Sequence, residues 1–77
     1  MEGDFNMFEV RIDCANYLLE VDKEETLEEC IHDVENFDIE NLNDDLKKLT
    51  KIYPIYWTVY NNKGEEIAQG TLKDLIG

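Results

Sequence analysis

The side chains able to do chemistry are few: Cys14, Cys30, His32 and nineteen carboxylates in a chain of 77 residues. A thiolate beside an imidazole is the most reactive pairing available. Cys30 and His32 lie two apart in a stretch of helical periodicity, about 200° around the axis, so they do not meet locally. Cys14 meeting His32 across the fold stays open beside the plainer reading of a solvated histidine. The chain has no serine, which removes a serine nucleophile and its elbow. Its glycines, at positions 3, 64, 70 and 77, build neither a phosphate loop nor a dinucleotide fingerprint.

Metal chemistry is equally poorly supplied. There is no Cys-x-x-Cys and no second histidine, against a structural zinc site. Two acidic windows, Glu20–Glu24 and Asp38–Leu42, lack the glycine of a calcium loop, and the second puts Leu42 where a ligand belongs. Weak, non-specific divalent-ion binding is the most they offer. Paired carboxylates do acid–base work where a pocket drives their pKa values apart, and a domain this small advertises no pocket. The expectation is a protein that is no enzyme, with no catalytic residue, no cofactor and no dedicated metal site. Cys14 and Cys30 read as free core thiols of a reducing cytoplasm, with one disulfide between them as the alternative.

What the sequence has in excess is negative charge. Nineteen acids face seven bases, for a formal charge of −12, and Arg11 is the only arginine. That balance argues against direct binding to DNA, RNA or an anionic membrane. No apolar run approaches the about 20 residues of a membrane helix, and the N-terminus carries no basic-then-apolar signal. The charge is also unevenly spread. Residues 20–45 hold twelve acids against the single Lys23, whereas residues 46–77 hold more bases than acids.

The elements that must carry these groups follow from periodicity. Phe8, Val10 and Ile12 alternate with Glu9, Arg11 and Asp13, the period of a half-buried strand. Asp13–Asn16 reads as a turn, with Asn16 suited to a left-handed conformation. Tyr17, Leu19 and Val21 then alternate with Leu18, Glu20 and Asp22, making an antiparallel hairpin. Thr26 followed by Glu29 is a capping box, and Leu27, Cys30, Ile31, Val34 and Phe37 form one apolar stripe. A second helix is expected from about Leu42 to Ile52, with Leu42, Leu46, Leu49 and Ile52 or Tyr53 inward and Pro54 as its stop. Ile55–Tyr60 is the strongest strand signal, and Asn61–Gly64 a turn into a partner strand over Glu65–Gln69. Thr71 caps a last helical turn, Leu72–Ile76. The fold expected is a single acidic α+β domain over 1–77: about four antiparallel strands in the order β-β-α-α-β-β, helices on one face, and a short C-terminal helix.

That layout puts Glu25, Glu28, Glu29, Asp33 and Glu35 on the outer side of the first helix, with Glu24, Asp38 and Glu40 at its rim. Like charges one turn apart, such as Glu25/Glu29 and Glu29/Asp33, each cost about 0.2–0.5 kcal/mol. Solubility is served by a mixed surface of smaller net charge. Five carboxylates along about 18 Å of helix give a spacing near the about 3.4 Å of one DNA strand. On the strand after Pro54, Tyr56 and Tyr60 share the face away from Trp57, joined by Tyr17 in a half-exposed row suited to protein contact.

Three functions fit these residues. The first is a small acidic inhibitor that occupies the cationic nucleic-acid site of a basic partner, such as a nuclease. A DNA mimic of this type has the profile of a phage or mobile-element anti-defence protein, for instance an anti-CRISPR or anti-restriction protein, acting in the host cytoplasm. The second is an immunity protein or antitoxin neutralising a basic toxin. The third is a non-catalytic regulatory module that works through the tyrosine-bearing sheet face, and a solvated acidic face with no function stands beside all three.

Overall fold

The computed structural model describes residues 7–76. Two hairpins are joined by a helical crossover: β1 (Phe8–Cys14), β2 (Tyr17–Glu24), α1 (Leu27–Glu35), a 3-10 turn (Ile39–Asn41), α2 (Asp44–Ile52), β3 (Ile55–Tyr60), β4 (Glu66–Thr71) and α3 (Leu72–Ile76). All neighbouring strands are antiparallel, and the sheet runs β2-β1-β3-β4. The two hairpins therefore meet along β1 and β3, and β2 and β4 are the edges.

Local chemistry explains the boundaries. The β1–β2 turn places Ala15 and Asn16 at φ of 50° and 71°, the left-handed pair that matches hairpin twist. Thr26 caps α1, its Oγ1 accepting from Glu29 N at 3.1 Å. Glu29 reaches back to Glu25 N at 3.2 Å, one residue before the cap itself. Asn43, which periodicity did not single out, caps α2 by accepting from Leu46 N at 2.9 Å. In the β3–β4 turn, Asn61 Oδ1 accepts from Lys63 N and Glu65 N, each at 2.9 Å, and Gly64 takes φ of 82°. Thr71 Oγ1 accepts from Asp74 N at 3.1 Å and starts α3.

The core lies on one face of the sheet. Val10, Ile12, Cys14, Ile55, Trp57 and Val59 point there from β1 and β3, and Cys30, Val34 and Leu72 close it from α1 and α3. Trp57 lies opposite Gly70, whose missing side chain admits the indole: a Cβ there would stand 3.1 Å from the ring. The indole N–H donates to Thr71 O at 3.3 Å, satisfying the one polar group the ring brings inside.

Two expectations about packing are corrected. Leu27, assigned to the apolar stripe of α1, is exposed at its first turn. The second helix starts at Asp44 and not at Leu42; of the residues expected inward only Leu49 joins the layer against the core, while Leu42 before the helix and Leu46 are half-buried, and Ile52 and Tyr53 are exposed. The reason is space. α1 and α3 cover the core face of the sheet, and α2 packs little against it; the residue after α2 is tied to the sheet's end, where the Cys14 thiol donates to Tyr53 O at 3.6 Å. Both cysteines are free thiols with no exposed surface.

Candidate interaction surface at the seam of β2 and α1

The hairpin register decides where the acids go. Phe8 pairs with Glu24, Val10 with Asp22 and Ile12 with Glu20. Directly opposed residues share a face, so Glu20, Asp22 and Glu24 lie on the core side of the sheet. Val21 and Lys23 face the open side, and Val21 is exposed. A register shift beyond Ile12 leaves Leu19 as the extra residue and places Tyr17 opposite Cys14. Tyr17 is thus on the helix-bearing side at the sheet's end, and it does not join Tyr56 and Tyr60 as its spacing suggested. Acids on a core-facing register survive because β2 is an edge strand and its inner side borders solvent beside α1; all three are half-buried.

α1 brings more carboxylates to the same line. Asp33 is half-buried, and its Oδ2 is shielded from water with no hydrogen-bond donor in reach among the described residues. Glu24 and Asp33 line one open depression, and Glu20 and Asp22 are same-face neighbours on β2. No base enters this seam: among the described residues the ion pairs are Arg11–Glu9 and Lys47–Glu40, both elsewhere. Crowded carboxylates relieve their repulsion by keeping protons. The Glu24 carboxyl is pushed up to about 7 by its hydrogen bond with Asp33, then by lost hydration and the charges of Asp33, Glu29 and Asp22. Glu20 is pushed up to about 7 by its hydrogen bond with Asp22, lost hydration, and the charges of Asp22 and Asp33. The buried Cys30 thiol behind them rises to about 11, chiefly through burial and then through the charges of Glu24, Asp33, Glu29 and Asp22. At neutral pH it is a thiol and no nucleophile.

Outside the seam, Glu25, Glu28, Glu29 and Glu35 are exposed along α1, with Asp38 and Glu40 continuing the row through the 3-10 turn. Glu24, Glu28, Glu29 and Asp33 line an open depression with Thr26 and His32. Glu29 and Asp38 also hold backbone amides, at 3.2 Å and 3.0 Å, and Glu40 meets Lys47 Nζ at 3.5 Å. Glu25, Glu28 and Glu35 have no such structural partner among the described residues.

The opposite sheet face has a different character. Arg11 lies over the Tyr60 ring at 5.5 Å and pairs with Glu9, so Tyr60 is half-covered by a cation. Tyr56 is free, 49% exposed. Leu18, Ile52 and Tyr53 are also exposed, and of these the register sets Leu18 near Tyr56, with Asp13 between them. Cys14 lies beside Tyr17, Ile55 and the Tyr53 carbonyl. Among the described residues no group of three or more His, Cys, Asp and Glu side chains is arranged to hold a metal ion, and no helix is long and apolar enough to cross a membrane.

The chain matches no family model, no curated protein and no solved structure at a significant level.

Proposed function

We propose that this protein is a non-catalytic binding protein whose acidic α1 side docks into the cationic, nucleic-acid-binding groove of a basic partner and blocks it. The observation that carries this reading is the seam itself. The register turns Glu20, Asp22 and Glu24 of β2 toward the α1 side of the sheet, α1 adds Asp33, and none of the four takes part in an ion pair among the described residues. Such repulsion opposes folding, and solubility does not require it. A groove lined with Lys and Arg gains from meeting it, since long-range attraction steers encounter and short-range pairing fixes register. The exposed row Glu25, Glu28 and Glu35, flanked by Glu24, Glu29, Asp38 and Glu40, supplies the contact. An anti-defence inhibitor of a nuclease and an immunity protein against a basic toxin both use this electrostatics.

The test is competition. A basic protein captured by this chain, once identified, is titrated with duplex DNA. Release of the acidic protein as DNA binds is the expected result; a ternary complex holding both overturns the reading.

The exposed cluster around Tyr56 favours a second reading, a module that binds through aromatic anchors at the sheet's end, because tyrosines with one wet edge are typical of contact surfaces. In that case Tyr56→Ala abolishes capture and charge changes on α1 do not.

A further inference from the structure

Among the described residues α1 and α3 pack on one side of the sheet, and the other side is bare. Register lays out that open face in rows, because directly opposed residues share a face. Lys23, Glu9, Tyr60 and Glu66 stand side by side across the four strands. Val21, Arg11 and Thr58 make the middle row, and Leu18, Asp13 and Tyr56 the third. Leu18, Val21 and Tyr56 are exposed there, and Arg11 lies over the Tyr60 ring at 5.5 Å. Tyr and Arg are residues that protein contacts favour. The face also departs from the rest of the chain in charge. It carries the bases Arg11 and Lys23 against the acids Glu9, Asp13 and Glu66, in a protein of formal charge −12. A second copy meets far less repulsion here than on the acidic α1 side.

We propose that this face is an interface between two copies of the chain, packed sheet on sheet as a two-fold dimer. It rests on the register and charge of the open face and not on what the α1 side binds. Two-fold contacts are self-complementary, each pair of residues occurring twice, and sheets packed face to face keep their strands nearly aligned. An axis running along the strands between β1 and β3 meets both conditions. It lays β2 of each copy over β4 of the other, so Lys23 meets Glu66, Asp13 meets the Tyr56 hydroxyl, and no acid meets an acid. An axis across the strands sets Glu9 against Asp13 of the other copy, which repels. Four strands about 4.8 Å apart, the shorter ones six residues long at about 3.4 Å each, give a face of about 400 Å² in projection. Side-chain relief raises this, and two copies bury about 1,000 Å², the lower bound of a specific interface. The dimer is accordingly weak, with a Kd of about 10–100 µM, and it leaves both acidic α1 sides outermost.

Sedimentation equilibrium of the full chain from about 5 to about 500 µM, at about 0.15 M salt, is the test. Wild type should pass from monomer to dimer across that range. Tyr56→Glu sets a carboxylate against Asp13 of the other copy, and Lys23→Glu sets one against Glu66. Each variant should stay folded by circular dichroism and lose at least about tenfold in dimer affinity. Lys23→Glu combined with Glu66→Lys restores the pair with its signs exchanged and should regain the dimer, which a merely structural role of Lys23 would not allow. Wild type that stays monomeric at the highest concentration overturns the proposal and leaves the face to a different protein. Dimerisation of Tyr56→Glu as strong as that of wild type also overturns it, since pairing along a free strand edge would survive that change. Failure of the double variant to regain the dimer overturns the two-fold arrangement. The wild-type measurement decides even if a variant fails to fold.

Discussion

Glu24 at the end of the edge strand β2 and Asp33 on α1 line the same open depression, and neither takes part in an ion pair among the described residues. Their proximity brings the two parts of the acidic segment together in space.

Counter-charge placed there should therefore stabilise. Asp33→Lys sets an ammonium among Glu20, Asp22 and Glu24, where wild type has only acids. The expected gain at pH 8 is about 1 kcal/mol, in the range of charge optimisation, or about 4–8 °C in Tm for a domain of this size. Thermal unfolding followed by circular dichroism measures it. A loss of stability at pH 8 contradicts the electrostatic account of the seam.

The cap of α1 is a separate and uncharged support. Thr26→Ala removes the acceptor for Glu29 N and should cost about 1 kcal/mol. The same loss should appear at pH 5.5 and pH 8, since no titrating group is removed, and unfolding curves at the two pH values check it.

Much of this architecture was legible in the chain. Alternation at Phe8, Val10 and Ile12, the Thr26–Glu29 cap, the Asn61–Gly64 turn and the run Ile55–Tyr60 each name their element, because one dominant local force acts on each. The face of β2 was not legible. Period two shows that Glu20, Asp22 and Glu24 point one way, but only the pairing of Ile12 with Glu20, set by the turn and the shift at Leu19, says which way that is. α2 was read as a packed amphipathic helix because apolar spacing reports a stripe and not the space left for it. With α1 and α3 on the sheet, Ile52 and Tyr53 stay outside. Leu18, Asp13 and Tyr56 come together from three strands, and no local pattern records that.

Trp57 and Gly70 give a test of the core. Gly70→Ala puts a methyl group 3.1 Å from the indole, inside normal contact, so the ring or β4 must move. The expected cost is about 1–3 kcal/mol, with a change in tryptophan emission as the indole N–H loses Thr71 O. An unchanged spectrum and Tm would show that the ring does not rest on that glycine.

The two thiols should be silent in the folded protein. Cys14 and Cys30 are fully buried and free, and burial pushes both thiols up, Cys30 to about 11. Reaction with a water-soluble thiol reagent at pH 7.5 should be negligible until denaturant is added, when two thiols per chain react. Tm should be the same with and without reductant; a drop in reductant would reveal a disulfide.

Charge reversal on the exposed row of α1 tests the functional account most directly. Glu25→Lys, Glu28→Lys and Glu35→Lys together leave the seam, the cap and the core untouched, so the variant should fold. Wild type and variant are immobilised and exposed to the same nucleic-acid-free bacterial lysate at about 0.1 M and about 1 M salt, between which the screening length falls from about 10 Å to about 3 Å. Mass spectrometry identifies what each retains. The account predicts that wild type holds a basic nucleic-acid-binding protein at the lower salt, releases it at the higher, and that the reversed variant holds none of it at either. Equal capture of the same protein by wild type and variant, with no effect of salt, would contradict it.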